Sequence, residues 1–238
     1  MNPVGIFRFA RTEGPGHFAT FLASHGLPFR VICLDEGEPV PGDSAAFSGM
    51  GFMGGPMSAN DELPWTQPVL ALMRDAAARR VPTIGHCLGG QLLSRALGGS
   101  VTRNPVKEIG WVAVQVDATP LAREWLGDGM ASFESFQWHE DTFTVPDAAE
   151  RILTGRTCAN QAYVAHGLHL GMQCHIEMDA EMIDTWCHTG RRELQESAGK
   201  SPAVQDAATI LDLMGRHLPG LTSVADRLYT RWIRGLAG

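Results

Sequence analysis

The 238 residues are 44% hydrophobic and carry a formal net charge of -7. That is apolar enough for a full core, which argues against disorder, and too acidic to favour nucleic acid or an anionic membrane as a partner. The five cysteines (Cys33, Cys87, Cys158, Cys174 and Cys187) form no C-x-x-C pair, which argues against a zinc ribbon, a dithiol redox site or a disulfide framework.

In chain order, short apolar runs alternate with helical patterns. Val4–Phe9 reads as a strand, Gly14–His25 as a helix stopped by Gly26 and Pro28, and Phe29–Leu34 as a second strand. The Pro- and Gly-rich stretch Glu36–Ser44 reads as a loop. Ala46–Met53 is a third strand ended by Gly54-Gly55-Pro56, Thr66–Arg80 a helix, Val81–His86 a fourth strand, and Leu88–Leu97 a helix closed by Gly98-Gly99. This rhythm predicts an α/β fold with a mostly parallel sheet and helices on both faces. Beyond residue 100 the expected strands are Gly110–Val116, Ser135–His139, Ala162–Ala165 and Leu168–His175. From Asp179 onward the pattern is helical, with breaks expected at Gly199–Pro202 and Pro219-Gly220. The N-terminus lacks the apolar run of a signal peptide, and no stretch reaches the ~18 apolar residues of a membrane span. We therefore expect a soluble, cytoplasmic protein with reduced thiols. One domain over 1–238 is expected, with about 180–238 as a C-terminal helical extension.

The most informative segment is Gly85-His86-Cys87-Leu88-Gly89, where an apolar strand meets a cysteine and a helix begins at once. Glycines two residues before and two after the nucleophile make a G-x-nucleophile-x-G elbow, a sharp turn that lifts the side chain above the sheet edge. There the sulfur sits at a helix N-terminus that favours thiolate, and the Leu88 N–H can hold an oxyanion. A thiolate hydrolase also needs a base and an orienter. His175 and Glu177 are two apart, so on a strand they share a face, with Cys174 and Ile176 on the other. The order Cys…His-x-Glu excludes an α/β-hydrolase, whose acid precedes its histidine, and the papain signature is missing.

With these motifs in view, the chain resembles the class I glutamine amidotransferases. Gly85–Gln91 is similar to that family's G-x-C-x-G-x-Q signature, and Gly54-Gly55-Pro56-Met57-Ser58 to its oxyanion strand. Phe136–Asp141 resembles the W-H-x-D segment, and His175-Ile176-Glu177 the H-P-E segment, with Ile where the family usually has Pro. All four occur in family order, over roughly residues 1–180, and the likeness is greatest to GMP-synthase-type amidotransferase domains and their stand-alone cousins. The resemblance implies a flavodoxin-like fold and a Cys87–His175–Glu177 triad. It further implies oxyanion donors at the Gly55 and Leu88 N–H groups, substrate contact by Gln91, and a pocket lined by Trp138 and His139. It implies hydrolysis of glutamine or another γ-glutamyl amide through a Cys87 thioester, with no cofactor and no metal. The partner is then a small γ-glutamyl substrate, with either a separate synthetase to use the ammonia or none. A homo-oligomer is compatible with the apolar residues of the extension. A non-catalytic relative, the rival reading, should lack a triad member, and all three are present.

Two other patterns carry no chemistry. Gly49–Gly54 matches G-x-G-x-x-G, but Gly55-Pro56 follows it where a dinucleotide site needs a helix. Gly199-Lys200-Ser201 echoes a P-loop, but its first glycine position is Leu194. His166, His169 and Cys174 have no ligand-pair spacing that would make them a metal site.

Overall fold

Residues 1–197 and 199–236 are described by a computed structural model. The first half alternates β1 (Val4–Arg8), α1 (Gly16–Ser24), β2 (Phe29–Cys33), β3 (Gly49–Phe52), α2 (Thr66–Arg79), β4 (Thr83–His86) and α3 (Leu88–Ala96). The second half carries β5 (Val101–Val116), α4 (Pro120–Leu126), β6 (Ser132–Phe143), β7 (Ala149–Gly155), β8 (Ala162–Ala165) and β9 (His169–Met172). It closes with α5 (Ala180–Thr189), α6 (Arg191–Ser197), β10 (Ala203–Val204) and α7 (Ala207–Ile233).

Five parallel strands stand in the order β2-β1-β3-β4-β9, the flavodoxin-like arrangement. Beyond β9 the sheet continues through the antiparallel strands β8, β7 and β5, and β6 pairs with β5. β1 shows why both faces need cover. Its pleat sends Val4 and Ile6 into the core under α1, α5 and α7, and Phe7 into the core under α2 and α3. Asp179 and Asp206 cap α5 and α7, accepting from the Met182 and Thr209 N–H groups at 2.8 Å.

The structure departs from expectation in its second half. β5 begins nine residues before Gly110, and a bulge between Arg103 and Glu108 interrupts its pairing with β6. β6 extends past both ends of Ser135–His139, and β7 and α4 were not expected. β9 stops at Met172 rather than His175, so Gln173–Glu177 is irregular chain touching β6 through one bridge, Phe136 to His175. The expected break at Pro219 is absent, because α7 runs through it. Pro219 and Gly215, the residue whose carbonyl loses its partner, are both exposed, so that carbonyl is open to solvent and Gly215 offers the ring no side chain to strike. No helix among the described residues is long and apolar enough to cross a membrane.

Candidate active site

The loops that follow β1, β3, β4 and β9 gather at the carboxyl end of the parallel strands, the place where such sheets bind ligands. At the end of β4, Cys87 adopts φ 48 and ψ -105, a left-handed conformation rare for a residue with a Cβ. The turn is held from both sides: Cys87 N–H donates to Met172 O at 2.9 Å, and Gly89 N–H to Met53 O at 3.1 Å. The glycines are needed for close approach. A Cβ on Gly85 would meet the Gly89 backbone inside 3.0 Å, and one on Gly89 would meet the Phe52 carbonyl. The Leu88 N–H opens α3, and a Cβ on Gly55 would lie 2.6 Å from the Leu88 side chain, so the Gly54-Gly55 turn packs against the start of α3.

His175 reaches the elbow from the β9 side. Its N–H donates to Phe136 O at 2.9 Å, its Nδ1 bonds Glu177 Oε1 at 2.6 Å, and Trp186 of α5 packs its ring at right angles with centroids 4.9 Å apart. The His–Glu pair forms although the segment is not regular strand, with Ile176 buried between them. Nε2 has no hydrogen-bond partner among the described residues. Burial works against charge on the imidazole, but Glu177 and Cys87 outweigh it and hold the His175 pKa well above its ordinary value. Burial likewise opposes charge on Glu177, and His175 and His86 hold its pKa below the usual carboxylate range. Behind Glu177, the buried His86 bonds Tyr229 Oη of α7 at 3.1 Å, and burial pushes the His86 pKa down.

Cys87 opens into a cavity of about 590 Å³. Gln91, Trp138 and His139 line it, but each is already held. Gln91 Nε2 donates to Gln173 Oε1 at 3.1 Å, and Trp138 Nε1 to Glu193 Oε2 at 2.9 Å. His139 Nε2 bonds the buried Glu108 at 2.8 Å, and its Nδ1 lies 3.0 Å from Asp141 O. Among the described residues, Glu108, His139 and Cys158 are close enough together to share a metal ion. Glu108 is already bonded by His139, Thr157 and Gln161, and burial pushes the Cys158 thiol up to about 11, away from the thiolate a metal requires.

The family model for glutamine amidotransferase class-I matches residues 22–185. The chain belongs to the class I glutamine amidotransferase family. A crystal structure of a glutamine amidotransferase from Methylobacillus flagellatus has 49% sequence identity and a TM-score of 0.96, covering 100% of this chain and 96% of that one. The glutamine amidotransferase-like protein YfeJ of Salmonella typhimurium is 28% identical over 193 residues, 79% of this chain and 81% of its own. A glutamine-hydrolyzing GMP synthase subunit of Sulfurisphaera tokodaii is 34% identical over 99 residues, 41% of this chain and 51% of its own.

Several residues of this class I amidotransferase site stand outside every motif read from the sequence. Gln173 Nε2 donates to Cys87 Sγ at 3.5 Å and so joins the sulfur to Gln91. Trp186 holds the His175 ring and donates from Nε1 to Thr12 O at 2.6 Å, pinning the β1–α1 loop. Of these residues only Gln173 had a signal, as an amide two residues before His175. Glu13, from the pinned loop, also lines the cavity.

Burial is the largest influence on the Glu13 carboxyl and raises its pKa from 4.5 to about 7; His175 lowers it and Glu177 raises it. Below about pH 4.5 the group is protonated in both the folded and unfolded chain. As pH rises to 7 the unfolded chain loses a proton the folded chain keeps, so stability falls, and the full cost is reached above the folded pKa. Glu13→Gln is therefore expected to change stability little near pH 5 and to raise it on the order of 2–3 kcal/mol near pH 8. Urea unfolding at the two pH values measures this, and an equal gain at both would contradict it.

Proposed function

We propose that the protein hydrolyses a γ-glutamyl amide through a thioester on Cys87. The observation that carries this reading is a buried imidazole tied to Glu177 by Nδ1, its Nε2 unpartnered, beside a cysteine on a strained elbow. Cys87 sulfur attacks the γ-carbonyl carbon, and the oxyanion is held by the Gly55 and Leu88 N–H groups, neither of which has an acceptor among the described residues. As the C–N bond breaks, His175 gives its proton to the departing nitrogen. It then takes a proton from water, which attacks the thioester and releases glutamate. Glu177 keeps the imidazole oriented and stabilises its charge. Gln91 and the Trp138–His139 segment form the wall that receives the glutamyl portion.

The C-terminal segment favours action without a synthetase partner. In α7, Leu221, Val224, Leu228, Tyr229 and Trp232 are buried against the chain's own core, and Met1 and Phe29 are the exposed large hydrophobics among the described residues. The second reading, an ammonia-supplying component of a larger synthetase, draws on the Sulfurisphaera tokodaii relative.

The purified protein alone is expected to release ammonia or amine from at least one member of a panel of glutamine, γ-glutamyl amines and γ-glutamyl peptides. A γ-electrophilic glutamine analogue is expected to label Cys87 and not Cys33, Cys158, Cys174 or Cys187. Burial pushes the thiols of Cys158 and Cys187 up to about 11 and that of Cys174 higher, while the half-buried Cys33 lies away from the cavity. Label on another cysteine would overturn the assignment. Activity with glutamine only after addition of a synthetase-containing fraction would favour the second reading.

A further inference from the structure

The cavity beside Cys87 is lined by four carboxylates, Glu13, Glu140, Asp141 and Glu193, and by one cation, Arg103. Three of the four are engaged. Glu140 pairs with Arg103, Glu193 accepts from Trp138 and pairs with Lys107, and Asp141 accepts from Ser58 Oγ at 2.8 Å. Glu13 has no hydrogen-bond or ion-pair partner among the described residues. A half-buried carboxyl without a partner is costly to the fold, and a cation would relieve that cost.

Its place in the cavity decides which part of a substrate it meets. A Cβ added to Gly54 would touch Glu13 Oε2 and lie 3.1 Å from His175 Cε1, so the carboxyl lies close to the Cε1 edge of the imidazole. On the mechanism proposed above, the imidazole faces the departing nitrogen, so Glu13 stands on the leaving-group side, while Gln91, Trp138 and His139 face the glutamyl portion. The cavity, at about 590 Å³, falls within the size range of pockets that hold drug-sized ligands.

We infer that the site selects γ-glutamyl amides whose leaving amine carries a second, cationic nitrogen, and that Glu13 is the carboxylate that binds that ammonium. This rests on the hydrolase reading. A γ-glutamyl diamine and water give glutamate and the free diamine. The C–N bond breaks, the departing nitrogen takes its proton from His175, water supplies the hydroxyl that completes the γ-carboxyl, and the remaining proton returns the enzyme to its starting state. No oxidant or co-reactant enters. Glutamine, which lacks the second nitrogen, leaves Glu13 unpaired in the complex.

The test compares kcat/KM for γ-glutamyl-1,4-diaminobutane and for the γ-glutamyl alkylamide of equal length lacking the terminal amine. Wild type is expected to prefer the diamine conjugate at least tenfold. That ratio is expected to fall toward unity in Glu13→Gln and to survive in part in Glu13→Asp. A wild-type ratio near unity, or one unchanged in Glu13→Gln, overturns the inference, and turnover of the neutral amide would then leave the hydrolase reading standing. If neither conjugate is turned over and Cys87 takes no label, the hydrolase reading fails, and calorimetry with 1,4-diaminobutane decides on Glu13. Binding at least tenfold tighter to wild type than to Glu13→Gln supports its role as an ammonium site, and equal or undetectable binding removes it.

Discussion

Cys87→Ala and His175→Ala are each expected to lower kcat on the preferred γ-glutamyl amide by about 10⁴-fold or more, because on the proposed mechanism they are nucleophile and base acting as one unit, and removing either removes both. Glu177→Ala should retain roughly ten- to a hundredfold more activity than either, since the orienter acts through His175 and touches no reacting atom. A pH profile separates that role from a merely structural one. Burial opposes charge on His175, and Glu177 is the main influence holding its pKa up. Without Glu177 the imidazolium that protonates the leaving nitrogen is lost at lower pH, so the alkaline limb of kcat should move down in pH. Folded variants with near-wild-type kcat would remove the corresponding residue from the mechanism. An unmoved alkaline limb in Glu177→Ala would remove its electrostatic role.

Gly89→Ala should have the second large effect, and through sterics rather than chemistry. The new Cβ would fall inside 3.0 Å of the Phe52 carbonyl and 2.8 Å from Phe52 Cβ, both fully buried, with no flexible side chain to yield. The first turn of α3 must lift off β3, breaking the Gly89 N–H to Met53 O bond of 3.1 Å and moving the Leu88 N–H. Overpacking of this kind costs about 1–3 kcal/mol, and backbone against backbone sits at the upper end. Chemical unfolding is expected to show that loss, with Cys87 labelling by the glutamine analogue slowed at least tenfold in the molecules that remain folded. Wild-type stability and labelling together would mean that the elbow does not depend on this contact.

These two predictions also mark what could be read in advance. The elbow is legible because it is local: Gly85 and Gly89 stand two residues either side of Cys87, and a turn so tight excludes a Cβ at both. The parallel half is legible because strands covered on both faces read as short apolar runs between helices, as at Val4–Arg8 and Thr83–His86. β7 was missed because Ala-Glu-Arg-Ile-Leu-Thr-Gly neither alternates cleanly nor forms a continuous apolar run. Pro219 misled because a proline reads as a helix break unless its exposure is known.

The sequence by itself determined the turn that carries Cys87 and the mostly parallel first half of the sheet, and its likeness to a family singled out Cys87, His175 and Glu177 as the triad proposed above. Only the tertiary structure decided what surrounds them. Gln173 against the sulfur, Trp186 against the imidazole, Glu108 behind His139 and Glu13 beside Gly54 are polar or aromatic residues in no signature. Each lies on a different element from the group it touches. A turn is dictated by sterics among residues a few positions apart, whereas the charge and contacts of a buried site depend on which distant segments the packed sheet brings together.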